Sequence, residues 1–195
     1  TGIQQQHSGV ETEFSAQFGS MFRADIGIGL GNWLFTDDAT GTYRDGDTDN
    51  EYSYAIKDLK IGDMPQFTLS AGFMITPVED ATIQIINRFY DLHSADWSPG
   101  TREWSGEGEA DRNNVFRAPS YSVLDIHAYY KLPFEFGPAK PTLFVHVFNA
   151  LDATYIQDAV DNSKYNAWDV RHVSSDAEVF FGQPTSFNAG ISVNF

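Results

Sequence analysis

The sequence predicts an antiparallel transmembrane β-barrel, and three observations carry that reading. Apolar and polar residues alternate over seven stretches of 7 to 14 residues, the signature of strands with one apolar face. The intervals between the stretches alternate short and long, as in outer-membrane barrels with tight turns on one side and long loops on the other. The polar face carries ionisable side chains and glycines, which suits a wet lumen better than a packed interior.

In chain order the strands are expected at 9–18, 22–35, 66–76, 81–92, 120–132, 142–148 and 186–195. In the first, Val10, Phe14, Ala16 and Phe18 oppose Glu11, Glu13, Ser15 and Gln17. In the second, Phe22, Ala24, Ile26, Ile28, Leu30 and Leu34 oppose Arg23, Asp25, Gly27, Gly29 and Gly31. The third sets Phe67, Leu69, Ala71, Phe73 and Ile75 against Thr68, Ser70, Gly72, Met74 and Thr76. The fourth is less clean: Ile83, Ile85 and Phe89 face Gln84, Arg88 and Tyr90, with Ile86 and Asn87 out of phase. The fifth sets Leu124, Ile126, Ala128, Tyr130 and Leu132 against Val123, Asp125, His127, Tyr129 and Lys131. Leu143, Val145 and Val147 alternate with Phe144, His146 and Phe148 in the sixth. The last is the most regular, with Phe187, Ala189, Ile191, Val193 and Phe195 opposite Asn188, Gly190, Ser192 and Asn194. The short connections 19–21, 77–80 and 133–141 are rich in Gly and Pro, as turns require, and the long ones are 36–65, 93–119 and 149–185.

Strand length fits a bilayer. Nine residues rising about 3.3 Å each and tilted about 40° span roughly 23 Å, close to the roughly 25 Å apolar band of such barrels. Phe18, Phe22, Phe67, Phe187 and Phe195 lie near strand ends, where interfacial aromatic girdles form. No segment approaches the roughly 20 apolar residues of a spanning helix. The start, Thr1 to Gln6, lacks the basic and apolar regions of a signal peptide and reads as a mature or truncated terminus.

Composition sets further bounds. The chain has 195 residues, 42% hydrophobic and 15% aromatic, too apolar for a disordered acidic chain. Against 27 acidic residues stand 12 Lys and Arg, a net charge of −15 that repels nucleic acid. With no Cys there is no disulfide framework, thiolate site or Cys nucleophile.

His7 to Glu11, Ile61 to Gln66, Ser120 to Asp125, Val147 to Asp152 with Tyr155, and the terminal Phe195, in that order along the chain, resemble segments of the carboxy-terminal barrel of TonB-dependent outer-membrane receptors. Ser120-Tyr121-Ser122-Val123-Leu124-Asp125 resembles the family's strand around "vvDl", and Val147-Phe148-Asn149-Ala150-Leu151-Asp152 with Tyr155 resembles its "vnNLfd..Y". His7-Ser8-Gly9-Val10-Glu11 and Ile61 to Gln66 match two earlier family segments, and the last strand ends in Phe. The resemblance implies the last seven strands of a 22-stranded barrel. The plug and earlier strands would lie outside residues 1–195, in a longer protein or the other part of a split one. It implies TonB-dependent import of a scarce nutrient (siderophore, glycan, peptide or cofactor) in the outer membrane of a diderm bacterium. The partners it implies are lipid, the plug, the remaining strands and the TonB-type energy-transducing complex, with a surface lipoprotein as a further candidate. It makes Phe195 part of the signal read by the barrel-assembly machinery, and it implies no enzyme activity.

Site candidates come from the loops and the lumen. The three long loops hold 19 of the 27 acidic residues, which either keep the loops soluble or capture cations. Asp45, Asp47 and Asp49 space carboxylates two apart, as calcium loops do, although Asn50 and Ile56 stand where an EF-hand needs Gly and Glu. Calcium in the 36–51 loop is therefore the one cofactor expected. Trp97, Trp104, Tyr155 and Trp168 are candidate stacking platforms for a ring-bearing substrate, or else parts of loop cores. A hairpin register pairing 131 with 142 would place His127 opposite His146, near Asp125, where they could hold a transition metal or simply line the lumen. The glycine stripe Gly27, Gly29, Gly31 marks close approach of another backbone, with the plug preferred. No nucleophile–base arrangement stands out.

Two rival architectures remain open at this point. One is a small eight-stranded outer-membrane barrel, structural or adhesive, using 52–60 as its extra strand. The other is a soluble lipocalin-type barrel with Ile191 and Val193 inside.

Overall fold

The computed structural model describes residues 2–134, 137–166 and 170–195. Seven long strands form one antiparallel meander: β1 (Gln5–Phe18), β2 (Phe22–Phe35), β5 (Pro65–Val78), β6 (Ala81–Ser94), β8 (Tyr121–Lys131), β9 (Lys140–Phe148) and β12 (Ser186–Asn194). They are hydrogen-bonded in that order, each to its sequence neighbour in the wall. A two-residue β7 (Arg117–Ala118) adds to the end of β6. The remaining elements lie in the long loops. They are the hairpin β3 (Ala39–Asp45) and β4 (Thr48–Tyr54), a 3-10 turn at Pro99–Arg102, the pair β10 (Ile156–Asp161) and β11 (Ala177–Phe181), and the short helix α1 (Ser163–Asn166). Among the described residues no helix is long and apolar enough to cross a membrane.

All seven predicted strands are present; β1, β5, β6 and β9 run longer than alternation alone shows, β2 matches, and β8 and β12 are slightly shorter. β1 starts at Gln5, because the polar run Gln5 to Ser8 pairs residue for residue with Phe35 to Asn32. The out-of-phase pair in β6 is accommodated without a bulge. Ile86 pairs with Gly72 on the lumen face, while Asn87 turns outward and accepts a hydrogen bond from Ser122 at 2.6 Å. That bond satisfies part of an amide that would otherwise meet hydrocarbon bare.

One expectation is corrected. The segment 52–60 supplies no eighth wall strand: β4 pairs only with β3 in a separate two-stranded sheet. β1 and β12 end the wall and do not pair with each other, so the seven strands do not close on themselves.

The wall has no hydrophobic core of its own. Its apolar face is turned outward, with Val10, Phe14, Ile26, Ile28, Leu30, Val145 and Ile191 all exposed. A soluble protein rarely shows so large a continuous apolar surface. The buried apolar residues sit in the loops instead. One cluster joins Phe35, Ala39, Ile56 and Leu59 to Trp97 and Val115; a second joins Ala95, Phe116 and Ala118 to Ala159.

The facing can be tested directly. Ile191 is exposed on the apolar side of β12, and Ser192 occupies the polar side opposite Thr142. Ile191→Arg should cost roughly 2–4 kcal/mol near the membrane midplane, and Ser192→Arg should be tolerated. Folding yield into lipid vesicles measures both, and a larger loss for Ser192→Arg would reverse the inside and outside of the wall.

Candidate functional site

The polar face of the wall is the candidate functional surface, and strand pairing fixes its layout. Registered pairs place Glu11 beside Gly29, Glu13 beside Gly27, and Ser15 beside Asp25. The next ladder adds Thr68, Ser70 and Gly72. Missing side chains at Gly27, Gly29 and Gly72 leave an open groove of about 690 Å³, bounded by Glu11 and Glu13 on one side and Arg88 and Tyr90 on the other. At Gly27 an added Cβ would meet nothing within 4 Å, so the floor there is free space. Below it, Arg23 donates to both oxygens of Asp25 at 3.0 Å, and the Ser15 hydroxyl donates to the same carboxylate.

Toward the long loops the face becomes aromatic. Tyr90 lies opposite Tyr121 with ring centres 5.0 Å apart, and Tyr155 stacks on Tyr121 at 4.5 Å and 21°. These three rings border a cavity of about 450 Å³ that also takes in Arg88, Asp125 and Gln183. Arg88 donates to Asp125 at 2.5 Å, and the Asn149 amide donates to the other oxygen of that carboxylate at 2.9 Å. Each oxygen of Asp125 thus accepts one hydrogen bond from within the protein.

The segment after β9 locks this end of the face. Asn149 and Asp152 both adopt positive φ, 48° and 51°, a conformation Asn and Asp tolerate better than most residues. The Asn149 side chain accepts from the Ala153 amide and donates to the carbonyls of Ala153 and Gln183, all at 2.9–3.0 Å. Asp152 accepts from the Thr185 amide, which ties the start of the last long loop to its end. Together these bonds hold Tyr155 over Tyr121.

The long loops are cross-braced by charge. Arg102 is buried, pairs with Asp111, donates to the Asn113 carbonyl at 2.9 Å, and lies 5.4 Å from the Trp97 ring centre. His172 sits between two carboxylates, with Nδ1 2.8 Å from Asp161 and Nε2 2.8 Å from Asp111. Burial pushes both carboxyls up, but the hydrogen bonds they accept more than reverse this, so each lies below its ordinary value. Elsewhere, hydrogen bonds from Arg112 hold the Asp38 carboxyl down to about 2, against a modest cost of burial.

The structure scatters the three aromatic candidates it describes, Trp97, Trp104 and Tyr155. Trp97 is consumed in the first loop core, edge-on to Phe35 at 5.2 Å, with its indole N–H donating to the Lys60 carbonyl. Trp104 lies half-buried beside the β3–β4 hairpin and donates to the Glu107 carbonyl. Tyr155 alone reaches the lumen, and Trp168 lies outside the described residues. Asp45 and Thr48 close the β3–β4 hairpin, with Asp47 in its turn and Asp49 paired to Arg44 at 3.0 Å. Among the described residues no three His, Asp or Glu side chains gather into a group that could hold a metal ion. His127 and His146 are directly opposed, as the register of 131 with 142 required.

A family model for the TonB dependent receptor-like β-barrel aligns with residues 3–150. The chain belongs to this family. Neither the curated proteins nor the solved structures contain a significant match.

For this receptor barrel, sequence reading missed two features. The Tyr90–Tyr121–Tyr155 stack was within reach, because Tyr90 and Tyr121 end adjacent strands on one face. The Arg102–Asp111–His172–Asp161 network joins residues up to 70 positions apart in irregular loops, where no periodicity reports contact.

Two outcomes are expected of the receptor's loops. Arg102→Ala takes one partner from Asp111, which keeps His172, and should cost about 1.5–3 kcal/mol of local stability, read as faster hydrogen exchange across 95–120. Unchanged exchange there would show that the network carries no load. Asp38 is lowered on folding, so its pairing stabilises the loop above its ordinary pKa of 3.8 and loses that effect as pH falls toward about 2. Protection of the first loop from pepsin should therefore drop over that window, and Asp38→Asn should remove this part of the pH dependence.

Proposed function

We propose that this chain supplies seven consecutive wall strands of a plugged, 22-stranded barrel in a diderm outer membrane, and that the barrel imports a scarce nutrient in a TonB-dependent manner. The observation that carries the reading is a wall with an exposed apolar outer face, a polar inner face and two unpaired edges, β1 and β12. Neighbouring strands continue the sheet past both edges. The plug occupies the lumen, and its backbone approaches the glycine-floored groove beside Glu11 and Glu13. Substrate passes the tyrosine stack on its way from the loop end, and the stack offers ring faces to a siderophore, glycan, peptide or cofactor. A surface lipoprotein covering the loops fits the same reading.

The energised step belongs to a plug and a TonB-type complex beyond residues 1–195. Uptake tests the whole proposal. Deleting the gene in its host should abolish growth on one scarce nutrient from a panel of iron chelates, glycans, peptides and cofactors. Loss of the energy-transducing partner should have the same effect. Growth of both strains on the entire panel would refute import.

Phe195 follows β12 and is 94% exposed, so none of the described residues covers its ring. As part of the assembly signal it should be required at the stage of insertion. Removing Phe195 should lower the amount folded into the outer membrane several-fold while synthesis stays unchanged. Equal surface levels of truncated and intact protein would leave it a girdle aromatic alone.

A further inference from the structure

We propose that His127 and His146 form a two-imidazole binding site on the lumen face for a Cu²⁺-class transition-metal ion. The pair is built by the wall, since the two residues oppose each other within the continuous β8–β9 register from Ile126↔Val147 to Lys131↔Thr142. Asn188 of β12 continues the row beside His146, and Gln84 of β6 continues it beside His127. Aromatic neighbours hold both rings. Phe144 stacks on His146 at 5.1 Å, Tyr129 lies edge-on to it at 5.5 Å, and Phe148 lies edge-on to His127 at 5.6 Å. Two ligands already positioned on rigid strands lose little freedom when an ion arrives.

The distance, which an imidazole–imidazole hydrogen bond also gives, fits one class of ion. The two Nδ1 atoms are 2.9 Å apart. Two imidazole nitrogens at about 2.0–2.1 Å from one ion stand about 2.9 Å apart at a right angle and about 3.4 Å apart at a tetrahedral angle. The right angle belongs to square-planar and tetragonal sites, the geometry of Cu²⁺ and Ni²⁺ rather than structural zinc. Imidazole suits both ions, and the order of intrinsic affinities favours Cu²⁺. Asp125 lies on the same face but is engaged by Arg88 and the Asn149 amide, so it supplies no third ligand. Water completes the coordination, which leaves positions open to a ligand arriving through the lumen.

The competing account is a hydrogen bond in which one neutral ring donates Nδ1–H to the other. Titration of the purified, detergent-folded intact receptor with Cu²⁺ separates the two, and it does so without reference to import. The expected result is one ion per chain, with His127→Gln and His146→Gln each weakening it by more than the roughly tenfold that follows loss of a supporting hydrogen bond to a ligand. Electron paramagnetic resonance of the bound Cu²⁺ should show coupling to two imidazole nitrogens in the wild type and fewer in each variant. Heat-dependent gel mobility confirms that the variants are folded. Equal binding by wild type and both variants, or no imidazole coupling in the wild type, would overturn the site and leave the hydrogen-bonded pair.

Discussion

The structure depends on one constraint: in hydrocarbon, every backbone N–H and C=O must find a partner within the protein. Seven strands paired neighbour to neighbour meet much of that demand and leave β1 and β12 each with one unpaired edge. The alternation of side chains is a consequence of the same ladder, because successive residues of a paired strand must face opposite sides. Once the outer face meets lipid, the inner face is free to be polar, and the hydrophobic effect no longer builds a core within the wall. The exposed Phe14, Ile28 and Ile191 are the result.

Charge on the inner face is organised by the same logic. Asp25 is held by Arg23 and Ser15, and Asp125 by Arg88 and the Asn149 amide, so the wall's central carboxylates carry their partners with them. Glu11 and Glu13 differ. They stand on the edge strand beside the glycine-floored groove. Local pairing thus rigidifies the β8–β9 end, while the β1–β2 end keeps unshielded acidity facing inward.

Much of this was legible in the residues. Period-two alternation located all seven wall strands, and it erred only where the pattern is blind. Gln5 to Ser8 are polar on both faces yet paired, and β3 and β4 are too short and polar to stand out from their loop. The opposition of His127 and His146 followed from the register because a hairpin propagates one pairing along its whole length. The loop aromatics were a different matter. Nothing in the sequence separates Trp97, which fills a core against Phe35, from Tyr155, which faces the lumen. That distinction is set by contacts between loops distant in sequence. The family resemblance around Phe148 to Asp152 marked a real structural device, the left-handed pair at Asn149 and Asp152, without showing what it does.

The middle loop, 95–120, takes part in both buried apolar clusters of the described residues. Trp97 and Val115 complete the cluster of the first loop, while Ala95, Phe116 and Ala118 complete that of the third. Its backbone is tied to both: the Ala55 amide donates to the Arg102 carbonyl, and the Asp161 amide to that of Asp96. Loops joined in this way cannot open as three independent flaps. To free either neighbour, the middle loop must give up part of its own packing, so the surface end of this wall behaves as one cooperative lid whose hinge points are the strand ends beneath it.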